Sequence, residues 1–471
     1  MKKLRFTLWL IISLTALSVG GLGSSVMAQA EENLLLFQHY DSAQQNLYVL
    51  DAQTNETRFI TEMSSNGDAG WSPDGRVWVV ENVEERDWRL RFFDVRTGQE
   101  SSFEQPIYSS GCYAGVYWSP NGEQFAYISQ SEDTFYLNVE NLADGSRYQI
   151  EADPNAMPFW SPDNRYLSVK VVYSALPSML YRAEDGSILS GPQRFWDYSP
   201  DSRFIFYQDE QGGIYLYELA TGENLRMADA DYGVWSATGR YFMPMTFTSS
   251  DSLRTYDTQT QRFQTIDLGF PVVFAKWAVD ERGVFLYADY PENSLFPRKL
   301  VYYDLESQTA TTLLEGVGRA ASIYQSGDWA AITYNTTAPQ DPRESTDRLL
   351  FYDGTQRLDV AFAVQRATYW PNIYALEGAA AFLIYGDEGI RYFDRSSGSL
   401  EVIYSGTHHE FPTANARYLA FLGSDGQQAL NRLNIWDSES HATIQIEQEA
   451  SWIIGWQNSP QRNSLLYCGE G

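Results

Sequence analysis

One short stretch recurs along this chain and limits what it can fold into. Proline presets the second position of a type I turn, aspartate suits the third, and glycine supplies the positive φ with which a chain re-enters a strand. Each copy is therefore predicted to be the tip of a β-hairpin. The copies are Trp71-Ser72-Pro73-Asp74-Gly75-Arg76, Trp118-Ser119-Pro120-Asn121-Gly122-Glu123, Trp160-Ser161-Pro162-Asp163-Asn164-Arg165, Tyr198-Ser199-Pro200-Asp201-Ser202-Arg203 and the weaker Trp235-Ser236-Ala237-Thr238-Gly239-Arg240.

An aromatic residue precedes each tip and marks the end of a strand that we name strand A of its unit. Successive aromatics lie 37 to 50 residues apart, and three further short strands, B to D, fit into each interval. Four-stranded propeller blades have this length. The sequence thus predicts an all-β fold, a β-propeller of about ten repeat units. The aromatic positions are Trp71, Trp118, Trp160, Tyr198, Trp235, Trp277, Tyr324, Tyr374, Phe411 and Trp456.

The first and last strands of the repeat region are predicted to share one unit. The strands that begin at Leu34, Asn46 and Thr57 correspond to strands B, C and D but lack an A strand, which Ser451–Trp456 can supply. This arrangement favours one large ring over residues 31–471, because no linker interrupts the series. Two tandem rings, residues 31–235 and 236–471, are the alternative.

Residues 1–30 have the pattern of a secretory signal peptide. A basic start with Lys2, Lys3 and Arg5 is followed by an apolar run and by small residues that end in Ala30. The run is shorter than the ~20 residues that a membrane-spanning helix needs. The sequence predicts cleavage after Ala30, secretion or periplasmic localisation, and no membrane insertion after cleavage.

The charge and the cysteine content restrict the possible partners. The net charge of −28 does not suit binding to nucleic acid, which needs basic patches. Cys112 and Cys468 are the only two cysteines, and whether they form a disulfide stays open.

The tips, together with turns such as Phe93-Asp94-Val95-Arg96-Thr97-Gly98, resemble the TolB-type propeller repeat, a relative of WD repeats. The resemblance covers nearly all of residues 33–468 and is strongest in the first four tips. TolB itself carries an additional α/β domain, and peptidases with such propellers carry a hydrolase domain. Neither domain has a counterpart in the residues of this sequence. The resemblance therefore implies a propeller alone.

No catalytic motif accompanies the repeats. A Gly-x-Ser-x-Gly elbow, a His-Glu-x-x-His helix and a phosphate-binding glycine loop are all missing from the sequence. Turn chemistry accounts for the tip aspartates, and packing between blades accounts for the repeated tryptophans. We therefore predict a non-enzymatic protein with no metal and no cofactor.

Loops on one face supply the candidate binding residues. In a four-stranded meander, the B–C and D–A connections lie opposite the A–B tips. Two long B–C connections come from consecutive units, and a D–A connection carries a histidine pair. Loops on a rigid framework commonly hold binding sites. The candidates are Tyr290, Phe296, Arg298, Arg343, His408 and His409.

The sequence predicts an exported, monomeric propeller that acts as a protein- or peptide-binding scaffold in the cell envelope or outside the cell. One alternative is a propeller that binds glycans or cleaves glycosides, since the 61 acidic residues could include a catalytic pair. A purely structural ring stabilised by metal is the other.

Overall fold

The computed structural model describes residues 33–457 apart from short gaps. Within the described residues, every element of regular secondary structure is a β-strand, as the sequence predicts. The gaps are residues 42–43, 65–66, 85–86, 109–115, 172–178, 193–194, 289–298, 316–318, 336–345, 366–372, 377–380, 387–388, 395–396, 406–407 and 424–431, and the single positions 143, 155, 210, 247, 249, 327 and 416.

The first fifteen strands belong to four sheets, each with its strands in sequence order. The first sheet contains β1 (Leu34–Asp41), β2 (Gln44–Asp51) and β3 (Glu56–Ser64). The second contains β4 (Asp68–Trp71), β5 (Val77–Glu84), β6 (Asp87–Asp94) and β7 (Gln99–Ile107). The third contains β8 (Tyr117–Trp118), β9 (Gln124–Ser131), β10 (Thr134–Asn141) and β11 (Arg147–Ala152). The fourth contains β12 (Ala156–Trp160), β13 (Tyr166–Val171), β14 (Met179–Arg182) and β15 (Ile188–Leu189).

The next eleven strands form a four-stranded and a seven-stranded sheet. The four-stranded sheet contains β16 (Phe195–Tyr198), β17 (Phe204–Gln208), β18 (Gly213–Glu218) and β19 (Asn224–Asp229). The seven-stranded sheet contains β20 (Tyr232–Trp235), β21 (Tyr241–Met245), β22 (Ser250–Asp257), β23 (Arg262–Trp277), β24 (Gly283–Ala288), β25 (Lys299–Asp304) and β26 (Thr309–Glu315).

The remaining strands form three four-stranded sheets and complete the first one. The three sheets contain β27 (Arg319–Ser326), β28 (Trp329–Asn335), β29 (Thr346–Tyr352) and β30 (Arg357–Gln365); β31 (Ile373–Leu376), β32 (Ala381–Gly386), β33 (Gly389–Asp394) and β34 (Ser399–Tyr404); and β35 (His408–Ala414), β36 (Tyr418–Gly423), β37 (Arg432–Asp437) and β38 (Ala442–Glu449). The last strand, β39 (Trp452–Trp456), pairs with β1.

The two ends of the repeat region meet in one sheet, as predicted. Its strand order is β3-β2-β1-β39, so β39 is the missing A strand of the first unit. The register places Leu35 opposite Trp456 and Gln38 opposite Trp452, with an irregularity between Leu36 and Phe37. Strand β39 thus has a fixed place beside β1.

Strand β23 belongs to two repeat units at once. Its first half pairs with β22 as a D strand, and its second half pairs with β24 as an A strand. Gly269 lies between the halves with a φ of 66°. The expected loop between strands D and A is therefore replaced here by a continuous strand, and two units form the seven-stranded sheet.

The described chain divides into two compact units. One comprises Gly191–Tyr290 and Leu300–Leu313, and its two sheets pack through a cluster that includes Phe206, Leu216 and Phe242. The other comprises the described residues of 33–190 and 314–457, together with Lys299. In this second unit, clusters of buried side chains join each sheet to the next, from the sheet of β27–β30 through that of β1 to that of β12–β15.

The predicted strand ends are correct in seven units and wrong in three. Strands A end at the expected aromatic up to Trp277, and again at Trp456. In the other three units the A strand continues beyond Tyr324, Tyr374 and Phe411, because pairing with the next strand extends to Ser326, Leu376 and Ala414. The repeating four-stranded meanders, stacked through apolar faces, form a β-propeller. The number of rings stays a prediction.

Candidate functional site

Four of the predicted binding residues lie outside the described residues. Tyr290, Phe296 and Arg298 fall in residues 289–298, and Arg343 falls in residues 336–345. Cys112 and Cys468, as well as residues 1–30, also lie outside them. These predictions therefore stay predictions.

The strands on either side of these segments are firmly packed. All six residues of β24 are buried, and so are the central four of β25. In β28, Ala330, Ala331 and Ile332 are at most 2% exposed. Since neighbouring strands are antiparallel, the ends of β24 and β28 that lead into the two segments lie at the edge opposite the hairpin tips. The described strands next to these two segments are thus well buried in their own sheets.

The histidine pair does not lie in a loop, which corrects the prediction for this position. His408 and His409 are the first residues of β35 and pair with Gly423 and Leu422 of β36. The strand begins here because β36 continues as far as Gly423 and offers a backbone partner. The two residues therefore start an A strand rather than occupying the D–A connection.

The serine of each tip has a structural role that the sequence analysis did not identify. Ser72, Ser119, Ser161, Ser199 and Ser236 are completely buried. In the tip of β16 and β17, the Ser199 hydroxyl donates to Asp201 Oδ1 over 2.6 Å and accepts the Phe204 N–H over 2.9 Å. A hydroxyl is needed here because it can donate and accept at once. The repetition of Ser-Pro-Asp was the signal for this role.

The tip tryptophans connect neighbouring sheets. Trp71 Nε1 donates to the carbonyl of Gly455 over 2.9 Å, and Trp160 Nε1 donates to that of Tyr117 over 3.0 Å. Trp277 Nε1 makes the same contact with Val234 over 3.1 Å. In each case the acceptor directly precedes the aromatic residue of the adjacent unit. Trp118, Tyr198 and Trp235, the remaining predicted repeat positions, are buried or partly buried at the ends of their A strands.

Successive tips also contact one another directly. Gln457 Nε2 donates to the carbonyl of Gly75, and the N–H of Asn121 donates to Asn164 Oδ1, both over 2.9 Å. In the unit of Gly191–Tyr290, the N–H of Thr238 donates to Glu281 Oε1 over 2.7 Å. These polar groups of the tips therefore contribute to the contacts between neighbouring sheets.

Ion pairs on the same edge join the tips to the turns between strands C and D. Arg417 donates from Nε and Nη2 to the two carboxylate oxygens of Asp437, each over 2.9 Å. These bonds, with the N–H of Glu439, lower the pKa of Asp437 to about 2. At the corresponding position of another unit, Arg240 donates from Nη2 alone to Asp257 Oδ2 over 3.1 Å. This pattern stabilises the fold and leaves the carboxylates charged.

One buried carboxylate departs from this pattern. Glu140 is 8% exposed, and burial raises its pKa. Its Oε1 accepts the Tyr127 hydroxyl over 3.1 Å and lies 3.6 Å from Arg147 Nε. Burial likewise raises the pKa of Tyr127. Because all three residues bond to one another inside a single sheet, we assign them to the packing of β9, β10 and β11.

The described part of the chain contains no group of three or more His, Cys, Asp or Glu residues placed to hold a metal ion. Among these residues there is also no helix long and apolar enough to span a membrane.

No protein family's sequence profile matches this chain, and no curated protein matches it by sequence. Several solved structures, however, are similar to it. One is a eukaryotic initiation factor, with 12% identity over 91% of this chain and 100% of that chain, at a TM-score of 0.49. Another is the β-propeller domain of the Trilobed protease from Pyrococcus furiosus, with 16% identity over 71% and 98%, at 0.30. A prolyl endopeptidase matches with 12% identity over 79% and 54%, at 0.33. The likeness concerns the fold alone.

Proposed function

We propose that this protein is an exported, non-catalytic β-propeller of the TolB type that binds a protein or peptide. The B–C and D–A connections of its sheets supply the binding residues. One observation carries this proposal: the opposite edge uses its tip serines, tryptophans and arginines to hold the fold together. The longer connections between strands, B–C and D–A, are therefore the part of each sheet that is available to bind a partner.

Two further features support the proposal. The composition of residues 1–30, which is typical of a signal peptide, supports export of the mature chain to the periplasm or out of the cell. The net charge of −28 favours partners with basic surfaces over nucleic acid. The mature protein needs no cofactor for this role and acts as a monomer.

A capture experiment tests the proposal. The chain from residue 31 onward is immobilised and exposed to the envelope fraction of the native host, and bound proteins are identified by mass spectrometry. We expect a specific partner whose capture is lost when Tyr290, Phe296, Arg298 and Arg343 are all changed to alanine. Capture that persists in this variant would place the partner elsewhere.

The matched control alters the tip edge instead. Arg165→Ala changes an exposed charged group of one tip and should leave capture intact. If the control abolished capture and the loop variant did not, the binding edge would be assigned wrongly. An array of glycans, probed with the same protein, separates this function from glycan binding.

A further inference from the structure

The tip between β8 and β9 contains an asparagine that is followed by glycine. The sequence has two such pairs, Asn66-Gly67 and Asn121-Gly122, and the structure describes both residues of the second. Glycine has no side chain to shield its backbone nitrogen, so in a free chain this nitrogen can reach Cγ of the preceding asparagine. The sequence of the pair is therefore that of a site where the side-chain amide can be lost spontaneously.

This tip differs from its neighbours in the side-chain pair that it carries. At the same two positions, four other tips carry an acid and a base: Asp74 and Arg76, Asp163 and Arg165, Asp201 and Arg203, and Asp280 and Arg282. Here Asn121 replaces the acid and Glu123 replaces the base, and Asn121 Nδ2 donates to Glu123 Oε2 over 2.7 Å. An aspartate at position 121 would place two carboxylates side by side, which repel each other. The glutamate thus explains why this tip has an amide.

Folding holds the reacting groups in place. The N–H of Gly122 donates to the Ser119 carbonyl over 2.9 Å and closes the turn of the tip. Asn121 Oδ1 accepts the Ser119 hydroxyl over 2.8 Å and the N–H of Glu123 over 3.2 Å. To react, the Gly122 nitrogen must lose its proton and bond to Asn121 Cγ, and the backbone between them must rotate. Because this rotation breaks the bonds of the turn, the folded tip opposes the reaction.

Contacts with the neighbouring tips fix the same pair of residues. The N–H of Asn121 donates to Asn164 Oδ1 over 2.9 Å. Gly122 is buried, and a Cβ atom placed on it would lie 2.7 Å from Cβ of Pro73. The pair therefore lies between the preceding and the following tip, and a longer backbone at position 121 would displace both contacts.

We propose that Asn121 is a deamidation site that folding suppresses and unfolding releases. In the unfolded chain the backbone nitrogen of Gly122 attacks Asn121 Cγ, its proton passes to the side-chain nitrogen, and ammonia leaves as a succinimide ring closes. Water then opens the ring at either carbonyl carbon, which gives aspartate or isoaspartate. Isoaspartate lengthens the backbone by a methylene group, so the tip cannot regain its contacts with Pro73 and Asn164. Prolonged unfolding thus becomes irreversible, whatever partner the propeller binds.

Mass spectrometry of peptides from the mature protein tests the proposal. One sample is kept folded and another in guanidinium chloride, both at mildly alkaline pH, and the deamidated fraction at Asn121 is followed over time. We expect the reaction to be at least about tenfold slower in the folded sample, because the hydrogen bonds of the turn must break first. Asn66 is the internal standard in denaturant, since glycine follows it as well and the two sites should react at similar rates.

A change of Glu123 tests the role of the side-chain pair. Glu123→Ala removes the acceptor of Asn121 Nδ2 and should accelerate deamidation of the folded protein about threefold or more, with no change in denaturant. Glu151→Ala is the matched control, since it removes an exposed carboxylate from β11 of the same sheet. It should leave both rates unchanged.

A second variant tests the effect on refolding. Thr238 holds the position of Asn121 in the tip of β20 and β21, where its hydroxyl accepts the N–H of Arg240 over 3.3 Å. Asn121→Thr therefore suits the turn and has no amide to lose. After equal times in denaturant, followed by dilution, the natural protein should regain less of its native tryptophan fluorescence than Asn121→Thr. Both proteins contain Asn66, so the difference belongs to Asn121.

The proposal is wrong if Asn121 reacts equally fast in the folded and the unfolded protein, or if folded Glu123→Ala reacts no faster than the natural protein. Equal refolding of the natural protein and Asn121→Thr, once isoaspartate has formed, would also contradict it. A melting curve of each variant shows whether it is folded at the temperature of incubation. If Glu123→Ala is not, the natural protein, compared folded and unfolded, decides alone.

Discussion

At the scale of single residues, one buried hydroxyl explains the most regular part of the sequence. The five tip serines have no exposed surface, and their hydroxyls bond across the turn that joins strands A and B. A buried polar group that loses its partner costs more than the bond itself contributes. The serines are thus as important to the hairpins as the turn residues beside them.

Ser199→Ala should lower the free energy of unfolding by about 1–3 kcal/mol, because the N–H of Phe204 loses its acceptor in a buried place. Denaturant unfolding followed by tryptophan fluorescence measures the change. Ser101→Ala, at an exposed position of β7, is the control and should stay within about 0.5 kcal/mol. Equal effects of the two changes would contradict this role.

The ion pair of Arg417 and Asp437 makes a specific prediction about acid stability. The folded-state pKa of Asp437 is about 2, below the ordinary value of about 4. Its stabilising effect is therefore complete above about pH 4 and is lost as the pH falls from about 4 to about 2. Asp437→Asn should melt at a lower temperature than the natural protein at pH 7, and the difference should shrink towards pH 2.

Thermal melts across this pH range measure the difference. Glu151→Gln, which removes an exposed carboxylate from β11, serves as the comparison. A difference between Asp437→Asn and the natural protein that stayed constant down to pH 2 would show that the pair contributes nothing through its charge.

At the scale of elements, five residues bring together the two ends of the repeat region. Trp456 of β39 is 2% exposed and packs among Leu35, Phe37 and Tyr418. Gln457 adds hydrogen bonds to Leu34 and Gly75. Because β39 has only five residues, its pairing with β1 depends strongly on the packing of Trp456 and the hydrogen bonds of Gln457.

Trp456→Ala should lower the free energy of unfolding by about 3–5 kcal/mol, the usual cost of removing a large buried aromatic side chain. Hydrogen exchange should also become faster in β1, which would lose its partner. Ile444→Ala, at a position of β38 that is 43% exposed, should change neither quantity appreciably. Unchanged exchange in β1 of the Trp456→Ala protein would mean that β39 is held by its backbone alone.

The elements also show how far the sequence is informative. The tips up to Trp277 were predictable because turn chemistry is local and each residue type has its own reason to be there. The ends of β27, β31 and β35 were not, because pairing with the following strand decides where they stop. The continuity of β23 and the burial of the tip serines likewise depend on neighbouring strands. Tyr290, Phe296, Arg298 and Arg343 were chosen from loop length and stay predictions, whereas His408 and His409 were expected in a loop and belong to β35.

At the scale of the whole molecule, the charge is strongly unbalanced. The chain has 61 acidic and 33 basic residues, and many of the basic ones are already paired on the tip edge. Like charges repel one another in the folded state, and salt screens this repulsion. Repulsion among the excess acidic residues therefore lowers the stability of the folded protein.

The melting temperature should therefore rise as sodium chloride increases from about 0.01 M to about 0.2 M, over which the screening length falls from about 30 Å to less than 10 Å. Differential scanning calorimetry measures this rise. Choline chloride should act equally, since screening does not depend on which cation is present. A fall with added salt would show that ion pairs such as Arg91 with Glu81 outweigh the repulsion.

Strand β23 has a mechanical consequence. Wherever a loop separates two repeat units, one unit can detach while its neighbour keeps its hydrogen bonds. Between β22 and β24 the shared strand removes that freedom, since its two halves are one backbone bonded on both sides. The seven strands from Tyr232 to Glu315 must then come apart as a single cooperative block, about twice the size of any other in the described chain.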